Sequence, residues 1–378
     1  MKIENFVQIL NADFFTGVPD SQLKALCDYL IKSYGTNSVN HIIAANEGNA
    51  VGLAAGYHLA TGKVPVVYMQ NSGEGNSINP IASLLNEKVY GIPCIFVIGW
   101  RGEPGVHDEP QHIFQGEITN KILEIMDIVY MIIDKETTEE QIKEKMNEFN
   151  KVLAKGKQVG FVVRKDTFEF DENIVYKNQN RMSREEIIKH IVSVSKEDAI
   201  VATTGKASRE LFEIREKNHQ NHCYDFLTVG SMGHASSIAL GIALQRPNKK
   251  IWIIDGDGAV LMHMGAMAVL GANGPKNIVH IIINNEAHET VGGQPTAMKN
   301  IDICKIAEGC GYVNCMSVSS FSELDKILFE AKEKNELSLI EIKSSIGARK
   351  DLGRPTTTAK KNKELFMEQL KNYVNMEI

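Results

Sequence analysis

Short apolar runs alternate with helix-patterned stretches along the whole chain. HIIAAN (41–46), VPVVYMQN (64–71), GIPCIFVIGW (91–100), IVYMII (128–133) and VGFVVR (159–164) form one series. AIVATTG (199–205), CYDFLTVG (223–230), KIWIIDG (250–256), NIVHIII (277–283) and LSLIEIK (337–343) form a second. Runs this short, apolar at nearly every position, mark parallel strands buried on both faces. The stretches between them, such as Glu47–Thr61 and Lys135–Ala154, predict helices, which makes the chain an α/β protein. Between the two series, DTFEFDENIVYKNQNRM (166–182) is polar and aperiodic, and SREE directly after it offers Ser183 and Glu186 as a capping box. The 378 residues therefore divide into two open, mostly parallel-sheet domains, 1–168 and 183–378, with a linker over 169–182 and no middle domain. EGNAVGLAAG (47–56) and GSMGHASSIALG (230–241) echo each other, each a strand end entering a small-residue helix.

Composition removes several function classes. A formal net charge of −6 leaves no basic footprint for nucleic acid. The N-terminal MKIENFVQIL lacks the apolar core of a signal peptide, and no apolar run approaches a membrane span. Six scattered cysteines without a CxxC pair fit buried free thiols in a reducing cytoplasm.

The chemistry concentrates in residues 249–288. One strand runs into Gly256-Asp257-Gly258 and the next ends in Asn284-Asn285, with residues 259–283, 25 in all, between the two motifs. In an open α/β sheet, ligands sit at the carboxyl ends of strands. A helix expected after Gly258 would turn free N–H groups toward an anion, and the glycines would let the backbone come close. Asp257 and Asn285 are hard oxygen ligands of the kind Mg²⁺ or Ca²⁺ takes. A dinucleotide fingerprint would require glycine where Leu261 stands, so the stretch reads instead as a metal–diphosphate site. Thr203–Ser208, around Gly205, is a second strand end opening a helix and a second anion cradle or plain cap.

The strand–GDG–helix–strand–NN arrangement resembles the thiamine diphosphate-dependent enzymes. The resemblance implies thiamine diphosphate and Mg²⁺ as cofactors. It makes Asp257 and Asn285 the metal ligands, with the carbonyl of Ala287 completing the protein's share, where the family usually has glycine. Main-chain groups of Gly256, Gly258 and Ala259 then meet the diphosphate. ANEGNAVGLAAG resembles the family's glutamate motif, which gives Glu47 the contact that activates the cofactor's aminopyrimidine. TVGSMGHASSIALG resembles the segment under the bent cofactor, with Met232 as the wedge and Gly230 as the carbonyl facing the pyrimidine amine. The glutamate six positions beyond the metal asparagine in larger relatives corresponds here to Val291; Glu289 is near but out of register.

FTGVPDS, QNSGEGNSINP, RGEPGVHDEPQH and GARKDLGRPTTT are similar to signatures of the phosphonopyruvate decarboxylase family and of the related sulfopyruvate decarboxylases. That similarity implies a carboxy-lyase acting on a small 2-oxo acid, with phosphonate biosynthesis as its setting. It implies Asp20 and Ser21 at the substrate end of the cofactor and His112 as an active-site histidine. Arg101, Arg349, Lys350 and Arg354 are the basic candidates for a phosphonate. Because sulfopyruvate decarboxylases are commonly split into two subunits, a fused chain favours phosphonopyruvate. The family's active sites lie at subunit interfaces, which implies a homo-oligomer. The alternatives are sulfopyruvate or another small 2-oxo acid as substrate, or a non-catalytic thiamine diphosphate- or nucleotide-binding protein.

Overall fold

The computed structural model describes residues 1–36, 38–172 and 174–372 and separates into two units, Met1–Val175 with Val291–Pro295, and Tyr176–Thr290 with Thr296–Ile378. The first carries β1 (Phe15–Gly17), β2 (His41–Ile43), β3 (Val66–Gln70), β4 (Cys94–Gly99), β5 (Val129–Ile133) and β6 (Gln158–Val163). They form one sheet in the order β2-β1-β3-β4-β6-β5, parallel throughout. The second carries β7 (Ala199–Ala202), β8 (Asp225–Leu227), β9 (Ile251–Gly256), β10 (Ile278–Asn284), β11 (Asn314–Val318) and β12 (Ser338–Lys343). Their order is β11-β12-β10-β9-β7-β8, again all parallel. Numbered within its own unit, each sheet reads 2-1-3-4-6-5. The order reverses direction between β1 and β3 in one unit and between β7 and β9 in the other, and ligand crevices form at such switch points.

The central strands are buried on both faces, as their composition requires. Every residue of β4 and β10 is buried. Alternation divides each strand between two cores. Val66 and Tyr68 of β3 join a core rich in large side chains (Phe6, Phe15, Phe149, Phe161), whereas Val67 and Met69 face Ala50, Val51 and Ala54 of helix Glu47–Thr61. The second unit repeats this. Trp252 and Ile254 of β9 pack with Ile187, Ile188 and Leu211, while Ile251 and Ile253 face Ala235, Ala239 and Ala243 of helix Ala235–Gln245. The two sequence echoes are thus topologically equivalent helices, each following the second strand of its sheet. Small residues recur there because a helix lying close over a sheet leaves little room for side chains.

Two strands of the six-stranded sheets were not apparent as apolar runs. β1 is only three residues long, and a Cβ on its Gly17 would lie 2.0 Å from the Tyr68 carbonyl oxygen, so glycine is required by close strand packing. β11 is a sheet edge with mixed exposure, and its NCMSV lacks a continuous apolar face. The Ser183 hydroxyl accepts from the Glu186 N–H at 3.3 Å, but Glu186 returns its side chain to that hydroxyl (2.6 Å). Among the described residues no helix is long and apolar enough to cross a membrane.

Candidate functional site

The carboxyl edge of the second sheet gathers the GDG and NN motifs. β9 passes directly into helix Asp257–Met262, so Gly256 is the cap and the helix begins at Asp257, earlier than the expected start after Gly258. A Cβ on Gly256 would meet nothing within 4 Å, so this backbone faces open space. A Cβ on Gly258 would lie 3.2 Å from His288 Nδ1 and 3.3 Å from Met232 Cε, which puts the Met232 side chain against the turn. Met232 itself sits in a tight bend: Gly230, Ser231 and Gly233 all have positive φ, and the Gly230 N–H donates to Thr204 Oγ1 at 3.0 Å. Gly205, with φ +95°, opens helix Lys206–Lys217 next to Thr290.

Asp257 is buried, and Thr296 Oγ1 donates to its Oδ2 at 2.5 Å. Burial raises its carboxyl to about 7 despite that bond. Asn285, also buried, donates from Nδ2 to Glu289 Oε2 (2.8 Å) and accepts at Oδ1 from the Ala287 N–H (3.1 Å). The Ala287 carbonyl accepts from the Glu289 N–H at 2.9 Å. Burial alone would raise Glu289, but Arg184 and Lys206 outweigh it and hold it at about 2. An ionised acid that accepts from Arg184, Lys206 and Asn285 is no proton donor at neutral pH, so Glu289 does not replace the glutamate missing at Val291.

These residues fit Mg²⁺ with a diphosphate. Among the described residues no three His, Cys, Asp or Glu side chains gather into a ready-made metal cage. One carboxylate, one amide and one carbonyl suit a cation that takes its remaining oxygens from phosphate and water. The unobstructed Gly256 backbone leaves room for that phosphate.

The carboxyl edge of the first sheet carries acids instead. Glu47 is the first residue of helix Glu47–Thr61, capped by the Asn46 side chain, which accepts from the Asn49 N–H. Its side chain is buried, its Oε2 accepts from Asn76 Nδ2 at 2.7 Å, and a Cβ on Gly73 would lie 2.4 Å from its Cγ. Burial raises its pKa, and the Asn76 bond offsets part of that. Asp20 is fully buried at the end of β1 and receives Gln70 Nε2 (2.6 Å) and the Gln22 N–H (3.0 Å). Burial likewise raises it. Its carboxyl thereby ties the end of β3 to the chain that leaves β1.

Arg101 follows β4. It donates to Asp108 from Nε (2.8 Å) and Nη2 (2.5 Å), and to Ser21 Oγ from Nη1 (3.2 Å). Ser21 is exposed, and both residues line a cleft of about 1130 Å³ with Lys24, His107, Asp108 and Arg164. His112 is half-buried, and its buried Nδ1 has no hydrogen-bond partner among the described residues. Burial first, then the Arg101 charge, lowers its imidazole to about 4, so it is neutral at working pH. Arg354 is an exposed residue of the second unit, while Arg349 is bound by Glu185, Glu213 and Asp351. Asn76, Gly73 and Asp108 lie inside the quoted signatures, but their roles as supports emerge only from the contacts.

Residues 4–125 match the thiamine pyrophosphate enzyme N-terminal TPP binding domain, and residues 203–342 the C-terminal TPP binding domain. The chain is 31% identical to phosphonopyruvate decarboxylase of Streptomyces viridochromogenes, over 90% of this chain and 87% of that one. It is 30% identical to the phosphonopyruvate decarboxylase of Streptomyces hygroscopicus, over 90% and 86%. It is also 28% identical to a sulfopyruvate decarboxylase of Methanosarcina acetivorans, over 90% of both chains. That last protein holds both halves in one polypeptide, so fusion by itself does not separate the two substrates, contrary to the expectation above.

Proposed function

The chain belongs to the thiamine pyrophosphate enzymes, in the branch that holds the phosphonopyruvate decarboxylases, and from that premise we propose that it converts 3-phosphonopyruvate to phosphonoacetaldehyde and CO₂. When bound, thiamine diphosphate supplies a thiazolium carbon that adds to the keto carbon and takes up the electron pair left by CO₂. Everything else falls to the protein. Asp257, Asn285 and the Ala287 carbonyl would hold Mg²⁺, the backbone of Gly256–Ala259 and the Gly205 turn would receive the diphosphate, and the Gly230 carbonyl would face the pyrimidine. Met232 would support the bend. Glu47, buried and raised, would hold a proton at the pyrimidine nitrogen, and Asn76 and Gly73 keep its carboxyl in one place.

The phosphonate requires charge-assisted donors. Arg101 is the cation poised for it, oriented by Asp108 and beside Ser21; Arg354 is the candidate in the second unit. His112, neutral at working pH, would add no charge beside the phosphonate.

Self-association belongs to this reading. The first unit leaves Gly52, Gly56, Leu59 and Ala60 of one helix exposed, and the second leaves Gly265, Ala268, Val269 and Ala272. A homo-oligomer would cover these small apolar faces.

The observation that carries the chemistry is the packing of the Met232 side chain against Gly258, directly after buried Asp257 at the end of β9; near full-length similarity to two phosphonopyruvate decarboxylases supports the substrate. The test is CO₂ release with Mg²⁺ and thiamine diphosphate, offering phosphonopyruvate, sulfopyruvate and pyruvate in parallel. Strong preference for phosphonopyruvate, lost without cofactor, is expected. Preference for sulfopyruvate, which the Methanosarcina relative keeps as the second reading, would overturn the substrate and leave the chemistry.

A further inference from the structure

Asn285 can serve a cation only through its amide oxygen, and a half-turn of the amide would present N–H groups instead. The network around it selects one orientation. Both Glu289 oxygens accept from Arg184 or Lys206, so Oε2, 2.8 Å from Asn285 Nδ2, acts as an acceptor and requires the nitrogen on its side. The Ala287 N–H, 3.1 Å from Oδ1, requires the oxygen on the other. Asn178 fixes the main chain by donating to the Asn285 carbonyl (2.9 Å) and the Ser344 carbonyl (2.8 Å), which joins the ends of β10 and β12.

Glu289 is itself held. Arg184 donates to it at 2.8 and 3.3 Å and Lys206 at 2.9 Å, and its side chain is only 7% exposed. Arg184 is anchored in turn by Glu210 at 2.7 and 2.9 Å. Among the described residues, the neutral side chain that meets this doubly braced acid is the amide of Asn285.

We propose that Glu289 is a positioning residue for the cation site, fixing the Asn285 amide so that its oxygen faces the metal. The proposal rests on the Mg²⁺–thiamine diphosphate reading above. Outer partners of this kind change metal affinity by about 10- to 100-fold.

The test is calorimetric titration of Mg²⁺ into the chelator-treated, full-length protein with thiamine diphosphate present, with circular dichroism as the check on folding. Glu289→Ala should weaken Mg²⁺ by about 10- to 100-fold. Glu289→Gln, which keeps an oxygen acceptor, should recover most of that loss. Because Glu289→Ala also strips two cations of their partner, an exchange of roles gives a second measure. Asn285→Asp alone sets two carboxylates against each other and should weaken Mg²⁺. Adding Glu289→Gln, whose amide can donate to the new acid, should restore it, a strongly non-additive cycle. Wild-type Mg²⁺ affinity in folded Glu289→Ala, or additive effects in the cycle, would overturn the proposal. Asp257→Ala separates the two levels. If it abolishes Mg²⁺ binding while Glu289→Ala keeps wild-type affinity, only this inference falls; if neither variant changes the affinity, the cofactor reading falls as well.

Discussion

The two units thread six parallel strands in one order, 2-1-3-4-6-5, and equip equivalent strand ends with opposite chemistry. After the first strand, one unit places buried Asp20 and the other the Gly205 turn. After the second, one places buried Glu47 and the other the Gly230–Gly233 bend that carries Met232. After the third, Asn71–Gly73 corresponds to Gly256–Gly258. After the fourth, Arg101 locked to Asp108 corresponds to Asn285 locked to Glu289. The first edge holds carboxyl groups whose pKa values burial raises, each steadied by an amide: Asn76 for Glu47, Gln70 for Asp20. That edge is suited to holding and sharing protons. The second edge offers bare backbone, a short helix start and a few oxygens, suited to an anion with its cation. A shared topology sets where ligands go, and the side chains at each strand end set what is done there.

Each prediction breaks or sharpens this contrast. The largest effect belongs to the proton-holding edge. Glu47→Gln should lower CO₂ release by about 10²- to 10⁴-fold with melting temperature preserved, since it removes the titratable group and keeps the shape. Full activity in that variant would end the contrast. Next comes Glu74, whose two carboxylate oxygens are buried beside Met69, Ile98 and Leu123 and have no hydrogen-bond partner among the described residues. Burial pushes it up to about 9 from an ordinary 4.5. The folded chain therefore keeps a proton that the unfolded chain releases above 4.5, and stability falls as pH rises between those values, by about 3 kcal/mol at pH 7. Glu74→Leu should raise the melting temperature more at pH 8 than at pH 5; an equal gain at both would show that Glu74 is ionised in the fold.

On the cation-holding edge, Asp257→Ala should weaken Mg²⁺-dependent cofactor binding by about 100-fold or more, an effect larger than that of an outer partner. Unchanged affinity by calorimetry would remove Asp257 from the site. The smallest effect concerns the exposed helix faces. A side chain at Gly52 meets nothing within 4 Å in the single chain, so Gly52→Leu should gain up to about 0.8 kcal/mol of helix propensity there. In the self-associating protein the same change should shift the species toward smaller mass, read by light scattering on a sizing column. A species of unchanged mass would place that face outside the contact.

The alternation of apolar runs carried most of the fold, because strands buried on both faces tolerate little else. Helix Glu47–Thr61 begins and ends where the pattern puts it. β1 and β11 escaped because a three-residue strand and a half-exposed edge leave no run to read. The site residues stand out in the same way only where chemistry is concentrated in adjacent positions, as in Gly256–Gly258 and Asn284–Asn285.

By itself, the amino-acid order determined the α/β class, the two-domain plan and the family. These depend on local period and on fixed short spacings, which are properties of the chain. Tertiary structure alone decided that both sheets share one strand order, that Asn76 holds Glu47 from 29 positions away, and that Thr296 holds Asp257 from 39. It also decided that Asp20 is buried, that His112 is neutral, and that Glu289 faces Arg184 across 105 positions. Hydrogen bonds and burial depend on distance in space, and once strands are laid side by side that distance no longer follows the spacing along the chain.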